Sequence, residues 1–452
     1  MGKVLEGMGK LKEFYKQIFK IENCINSMKK RFDTNDKIHA KIEVLSYHIN
    51  HRILEERARQ KIRDGKRLKV FFLVSYPSKF GFETIYQAML SSDIFMPYIF
   101  VVHPRDKFFN KYQSYVLEAK EAYELFLQQG YNTIFGYDEM MRPTGLEKEN
   151  PDIIFLNFPN MFQECHYKNI NINYNYLTCY IPYGMHIANN FGYHFENYHI
   201  NTSWKIFADT YFSYYRYLER SIYNGLNVVL AGYPKLDCYY SGTNEIENRK
   251  RKCVIYAPHW SIKTKSVDNN MSTFHLYQQY FLKLLDKYSD IDFYFKPHPD
   301  LKYRIQELYD QNINIGISPK EYEKYINIWK SKKNGYVLLD GTYIPLFQKS
   351  DCLITDSISF IAEFLPSNHP CIFLLNPEKE DLYENINEFG KEILSKYYCC
   401  LNEVEIESAF KQCVIEENDN KKTSREDILE REFINLGNSG VYICDYLTKI
   451  LT

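Results

Sequence analysis

Three stretches in the second half of the chain end in side chains able to do chemistry. VIYAPHW closes on Ala257-Pro258-His259-Trp260 and FYFKPHP on Lys296-Pro297-His298-Pro299. DCLITDSISFIAEFL turns through Thr355-Asp356-Ser357-Ile358-Ser359 into a new apolar run. A lysine supplies a fixed positive charge, a histidine a tunable donor or acid, and Ser/Thr hydroxyls neutral donors. A helix start adds unpaired backbone N–H groups and the positive end of a dipole. Brought into one crevice, Lys296, His298, His259, Thr355, Asp356, Ser357 and Ser359 suit a diphosphate held by protein groups. Asp356 is the one acidic residue near them, too few for a metal site at ligand spacing, so no metal is expected. Glu363 stands four residues beyond Ser359 on the same helical face, where a half-buried carboxylate could accept ribose hydroxyls.

Each stretch also has a plainer meaning. Asp356 or Ser357 can simply cap the helix. Lys-Pro-His-Pro can be no more than a rigid strand-to-loop turn, and His259 can pack against Trp260. The order of elements decides whether the three ends meet.

Continuous apolar runs mark parallel strands buried on both faces: KVFFLVSYP (Lys69–Pro77), PYIFVVHP, PDIIFLNFP, then CVIYAPHW, IDFYFKPHP and CIFLL. Helical patterns alternate with them, which calls for doubly wound α/β sheets with their sites at the carboxyl ends of the strands. Tyr76 stands at such an end in the first half. The polar stretch SGTNEIENRKRK divides the chain. The expected plan is an N-terminal helical segment over 1–66, a Rossmann-like domain over 67–240 and a second Rossmann-like domain over 250–452. The two αβα domains face each other across a cleft, as in GT-B glycosyltransferases.

Composition narrows the function. The chain has 452 residues with 56 basic against 57 acidic side chains, so no global field favours nucleic acid. Eleven cysteines without a C-x-x-C fit free thiols in a reducing cytoplasm. The N-terminus reads as neither a secretory signal nor a membrane span. Residues 1–32 carry Val4, Met8, Leu11, Tyr15, Ile18, Ile25, Met28 and Phe32 at helical steps, with eight basic residues against three acidic. The net +5 suits an anionic membrane surface, here the inner face of the cytoplasmic membrane; the narrow, heptad-like stripe equally suits a dimerising helix.

The second half resembles the CDP-glycerol glycerophosphotransferase family, the enzymes that build or prime teichoic-acid and related capsule polymers. The residues that carry the resemblance are AGYPKLD, VIYAPHW, FYFKPHP and DCLITDSISFIAEFL, in the family's order, over roughly Ile181 to Leu374, with a weaker echo at Asn438 to Leu447. The resemblance implies a GT-B fold and attack of an acceptor hydroxyl on the phosphorus bearing the glycerol of CDP-glycerol, releasing CMP. It implies no cofactor beyond that donor, or a related CDP-polyol, and a polysaccharide or lipid-linked glycan as acceptor. His298 would contact the donor phosphates, Thr355, Asp356, Ser357 and Ser359 would hold the diphosphate, and Glu363 the ribose.

The chain departs from the family where a base is expected. The family's first-domain Trp-His-Gly stands here as Pro182-Tyr183-Gly184, with His186 the nearest histidine. Either His186 acts as base from the following turn, or Tyr183 positions substrate beside Gly184 on the acceptor side. Two other readings stay open: a GT-B glycosyltransferase using a nucleotide sugar, and a non-catalytic nucleotide-binding assembly protein.

Overall fold

The computed structural model describes residues 35–77, 80–103, 112–157, 169–240, 250–262, 270–339, 343–379, 381 and 383–452. The basic stripe of residues 1–32 and most of the dividing stretch lie outside the described residues.

Two wholly parallel sheets form the scaffold. The first has the order β3-β2-β1-β4-β5-β6-β7, from β1 (Leu68–Val74), β2 (Phe95–Val101), β3 (Thr133–Phe135), β4 (Ile153–Leu156), β5 (Leu177–Tyr180), β6 (Lys205–Ala208) and β7 (Val228–Leu230). The second has the order β10-β9-β8-β11-β12-β13, from β8 (Cys253–Ala257), β9 (Asp292–Phe295), β10 (Gly335–Val337), β11 (Cys352–Thr355), β12 (Cys371–Leu374) and β13 (Tyr398–Cys400). The strands read from sequence are all present, their ends within a few residues of the apolar runs. Every residue of β4, β8, β11 and β12 is buried, because helices cover both faces and leave no side for polar alternation.

The long helix α1 (Asn35–Arg63) lies against the first sheet and buries Val44, Leu45, Tyr47, His48, His51, Glu55 and Ala58. Helix α2 (Glu83–Leu90) follows β1, α3 (Phe274–Lys287) follows β8, and the short α4 (Ile358–Phe364) follows β11. Helix α5 (Glu388–Ser395) precedes β13.

The last helix, α6 (Ser439–Leu451), corrects the expected division at 250–452. It returns to the first lobe and packs on α2 so closely that a Cβ on Gly440 would stand 2.2 Å from Thr84 Oγ1. Asp237, the last residue of AGYPKLD, fixes the return: its carboxylate accepts the backbone N–H of Ser439 (2.9 Å) and Gly440 (2.8 Å) and the Thr84 hydroxyl (2.7 Å). Its negative charge meets the unpaired N–H groups at a helix start. Gly232, at φ +86°, lets the chain pass Ile434, whose carbonyl oxygen a Cβ would approach to 2.3 Å. One apolar core therefore runs from the first sheet into the second lobe, joining Val70, Phe155 and Ile206 to Ile361, Phe389 and Leu447.

Candidate functional site

The three chemically able strand ends do meet. β9, β8 and β11 are neighbours in that order, so their carboxyl ends open on one crevice. The Lys296 N–H donates to Tyr256 O (2.8 Å), and the His298 N–H to Pro258 O (3.0 Å). His259 and His298 stand with ring centroids 5.5 Å apart, beside Trp260. His298 Nδ1 accepts the Asp300 N–H (3.1 Å), and His259 Nδ1 accepts the Ser261 N–H (3.2 Å). In the neutral form each ring then carries its proton on Nε2. Burial, with His298 alongside, lowers the His259 pKa to about 3. The His298 side chain is 34% exposed, so of the two rings it is the one placed to meet a ligand.

The turn after β11 is used differently from the sequence expectation. Thr355 and Asp356 are buried and committed to holding the scaffold, which corrects their assignment as donor ligands. The Thr355 hydroxyl donates to Ala257 O (2.6 Å) and accepts the Ser357 N–H (3.0 Å). The Asp356 carboxylate accepts the N–H groups of His259 (2.5 Å) and Thr273 (2.6 Å) and the Thr273 hydroxyl (2.8 Å). Asp356 thus ties the turn after β8 and the start of α3 to β11, and burial raises its carboxyl pKa to about 6. Ser357 is the N-cap of α4 but makes no side-chain capping bond, while Ser359 is exposed in the first turn. The Ser359 hydroxyl is open to a ligand, whereas Ser357 is buried. A small pocket opens beside Asp356, lined by Met271, Phe373, Asn376, Lys379 and Ile386.

Glu363 lies between the lobes. Its carboxylate is 2% exposed and accepts Lys235 Nζ (2.7 Å) and the Tyr343 hydroxyl; Lys235 Nζ also donates to Tyr343 Oη (2.7 Å). Lys235 belongs to AGYPKLD, 128 residues from Glu363 in sequence, so it joins the first lobe to the second. The Tyr343 ring is flanked by two cations, Lys235 Nζ at 4.9 Å and Lys296 Nζ at 4.7 Å from its centroid. The Tyr183 ring stands 5.3 Å from Lys235 Nζ. Burial raises the Tyr183 phenol pKa, with the carboxylates of Glu363 and Asp300 adding to it. A Cβ on Gly184 would meet nothing within 4 Å, so open space adjoins Tyr183. Lys235 and Tyr343 escaped the sequence reading. A lysine inside a turn motif gives no sign of a carboxylate partner so distant along the chain.

His186 does not reach the crevice, which corrects its place as candidate base. Its ring is 1% exposed and packed among His194, Phe195 and Tyr217, with Nδ1 3.9 Å from Asp209 Oδ1. Neither ring nitrogen has a hydrogen-bond partner, and burial lowers its pKa to about 3. A base must touch the proton that it takes. The backbone around His186 instead joins the lobes: Asn387 Nδ2 donates to His186 O (2.8 Å) and Asn387 N–H to Ile187 O (3.0 Å). Tyr76 belongs to a separate group, its hydroxyl 2.6 Å from His103 Nε2 and 3.1 Å from Glu118 Oε2. Among the described residues, no three His, Cys, Asp or Glu side chains group as a metal would require, and no helix is long and apolar enough to cross a membrane.

Comparison with known proteins places this arrangement. Residues 213–438, half of the chain, match the profile of the family described as CDP-glycerol:poly(glycerophosphate) glycerophosphotransferase. No curated protein sequence matches the chain. Among solved structures, the UDP-GlcNAc 2-epimerase of Neisseria meningitidis bound to UDP-GlcNAc superposes with a TM-score of 0.52 at 14% identity, over 84% of this chain and 100% of that one. A variant of the wall teichoic acid polymerase TagF gives 0.50 at 14%, over 93% and 98%. The UDP complex of S. aureus MnaA gives 0.50 at 13%, over 85% and 97%. These likenesses establish the fold, two facing α/β domains of GT-B type.

Proposed function

Because the chain belongs to the CDP-glycerol:poly(glycerophosphate) glycerophosphotransferase family, we propose that it moves glycerol phosphate, or a related polyol phosphate, from a CDP donor to a cell-surface polysaccharide of teichoic-acid or capsule type. The observation that carries the reading is the shared edge of β9, β8 and β11, where the His259 and His298 rings stand 5.5 Å apart and Ser359 opens in the first turn of α4. An imidazole and a serine hydroxyl at the carboxyl ends of neighbouring parallel strands favour an anion, and a nucleoside diphosphate is such an anion.

In the proposed step an acceptor hydroxyl attacks the phosphorus that bears the glycerol. The new O–P bond forms as the bond to the bridging oxygen of CMP breaks, and CMP and one proton are released. Transfer of this kind asks for positioning and charge stabilisation more than for covalent chemistry. Lys296 and His298 Nε2–H face the charge that grows on the leaving phosphate. Ser359 adds a neutral donor. Glu363, buried with one oxygen on Lys235 and the other on Tyr343, holds the lobes together and does not meet the ribose as the sequence suggested. Tyr183, its phenol held protonated by burial and nearby carboxylates, orients the acceptor beside Gly184 rather than acting as base.

The test is CMP release with CDP-glycerol or CDP-ribitol and a polysaccharide acceptor, beside calorimetry with CMP and CDP. Turnover of a nucleotide sugar, with both CDP-polyols inert, would move the assignment to a sugar transferase. Absence of nucleotide binding would mark an assembly protein. Binding of the protein to a membrane belongs to the same proposal and is read by co-sedimentation with anionic vesicles.

A further inference from the structure

The donor side of the crevice draws on strand ends of the second lobe, and the first lobe has its own. β2 and β1 are neighbours in the first sheet, and both lead into titratable side chains, His103 and Tyr76. The helix Tyr112–Gln128 follows β2, starts at the same edge and brings Glu118 over them in its second turn. Tyr76 Oη donates to Glu118 Oε2 (3.1 Å) and stands 2.6 Å from His103 Nε2. With its own proton toward Glu118, the phenol oxygen accepts from His103 Nε2–H. The His103 side chain is 2% exposed and stacks on the Tyr115 ring, with centroids 4.2 Å apart and planes 6° from parallel. Its backbone N–H donates to Tyr137 Oη (3.0 Å). The Glu118 side chain is 43% exposed. The three groups thus run from a fixed, buried ring through a half-buried phenol to an open carboxylate.

This edge is the one that a ligand between the lobes meets. Strands of a parallel sheet share one carboxyl edge, so Tyr76 and His103 lie on the side that carries Tyr183 and Gly184 after β5. From β2 across to β5 is three strand spacings, about 14 Å, a span that an extended acceptor bridges. The chain after β1 also reaches the seam between the lobes. A Cβ on Gly81 would stand 3.9 Å from the side chain of Lys235, whose amine holds Glu363. Transfer to a hydroxyl releases a proton, and the residues at the family's base position do not take it. Tyr183 keeps its phenol proton, and His186 is 1% exposed among aromatic rings away from the crevice. Asp356 and Glu363 are committed to bonds within the protein.

We infer that Glu118 takes the proton of the acceptor hydroxyl, with Tyr76 and His103 as the residues that position it; the inference rests on the transferase reading above. The acceptor O–H gives its proton to Glu118 Oε1, the oxygen that Tyr76 leaves open, while the acceptor oxygen forms its bond to phosphorus. The bond from phosphorus to the bridging oxygen of CMP breaks in the same step. The carboxylate, open to solvent, then passes the proton to water. Tyr76 fixes the other carboxylate oxygen, and His103, held by Tyr115, fixes Tyr76, which is the arrangement of a base oriented by further groups behind it. Among the described residues, the titratable groups around Glu118 are Tyr76 after β1, His103 after β2, and Tyr115 and Glu121 on its own helix.

The experiment follows CMP release by the full chain across pH with CDP-glycerol or CDP-ribitol and a polysaccharide acceptor, beside calorimetry with CDP. Glu118→Gln should lower kcat by about 10²–10⁴-fold and lose the acid limb of the kcat profile, with acceptor KM and CDP affinity within about twofold. Glu118→Asp, which keeps a carboxylate, should retain that limb. Tyr76→Phe should lower kcat by about 10–100-fold, the worth of one hydrogen bond to a charged group, and move the limb to higher pH. A kcat kept in Glu118→Gln overturns the inference, and so does a loss confined to acceptor KM, which would make the group a binding subsite. Either result leaves the transferase reading standing, because the unmodified chain still releases CMP. Turnover of a nucleotide sugar in place of both CDP-polyols ends that reading instead, and the same variants then test Glu118 against the same acceptor hydroxyl. A chain inert with every donor overturns both.

Discussion

A buried cation that meets its carboxylate from another lobe is a strong constraint when both partners are kept and a liability when one is lost. Lys235 and Glu363 are 12% and 2% exposed, and their bonds close through the Tyr343 hydroxyl. Removing one partner of such a pair costs about 3–5 kcal/mol, because the other charge stays buried. Lys235→Met should therefore lower stability by an amount near that range, measured as a drop in the urea midpoint. The double variant Lys235→Met, Glu363→Gln should recover part of the loss, so equal midpoints for single and double variants would deny the coupling. His298 differs in being one-third exposed at the end of β9. His298→Ala should leave the midpoint nearly unchanged and lower kcat by about 10²–10⁴, the range for loss of one acid–base group. His186→Phe should keep turnover, because its ring lies among aromatic neighbours away from the crevice; loss of kcat there with an intact fold would return His186 to the role of base. The sequence made His298 legible because a strand end gives it a place. Lys235 stayed hidden, and His186 misled, because neighbourhood in sequence says nothing of which way a turn points a ring.

At the scale of elements, continuous apolar runs were enough to specify two parallel sheets, since strands covered on both faces have no alternative pattern. The convergence of β8, β9 and β11 followed from the same reading, because strand ends in one parallel sheet share an edge. The destination of α6 was not legible. Its apolar stripe would fit either lobe, and what selects the first is Asp237, whose carboxylate caps the helix from more than two hundred residues away. Asp237→Ala should cost about 1–2 kcal/mol from the lost cap. Gly440→Ala tests the same contact from the packing side. Its new Cβ would press on Thr84 Oγ1 at 2.2 Å and on Thr84 and Ile85 backbone atoms at 2.5 and 2.6 Å, which flexible side chains cannot relieve. The expected loss is about 1–3 kcal/mol, the usual penalty of overpacking. Urea midpoints check both, and a neutral result for both substitutions would mean that the last helix is not fastened by this contact.

Across the whole molecule, the histidines make folding sensitive to acid. Burial is the first cause of every shift: the pKa values of His48, His186, His194 and His259 are lowered to about 3, and that of His51 to about 4. His48 and His51 fasten α1 through Asn201 O (3.0 Å) and Asn173 O (2.6 Å), while His186 sits behind the seam between the lobes and His259 in the crevice. In each case the unfolded chain takes up a proton near pH 6.5 and the folded chain does not. Their stabilising contribution is therefore complete above about pH 6.5 and is lost as the pH falls toward 4, each group adding up to about 1.4 kcal/mol per pH unit. Asp356 has the opposite sign. Its folded carboxyl, raised to about 6 from 3.8, holds a proton that the unfolded chain gives up, so it favours the fold as the pH drops below 6. Five groups against this one leave a net loss, which steepens as the pH falls below 6.5 and the unfolded histidines become fully protonated. Urea midpoints should fall on going from pH 7.5 to 5.5, and His186→Phe, which removes one of the five without breaking a hydrogen bond, should fall less. A parallel decline in the variant would show that His186 takes up its proton in the folded chain too, and the cluster around Asp209 would then be open to water.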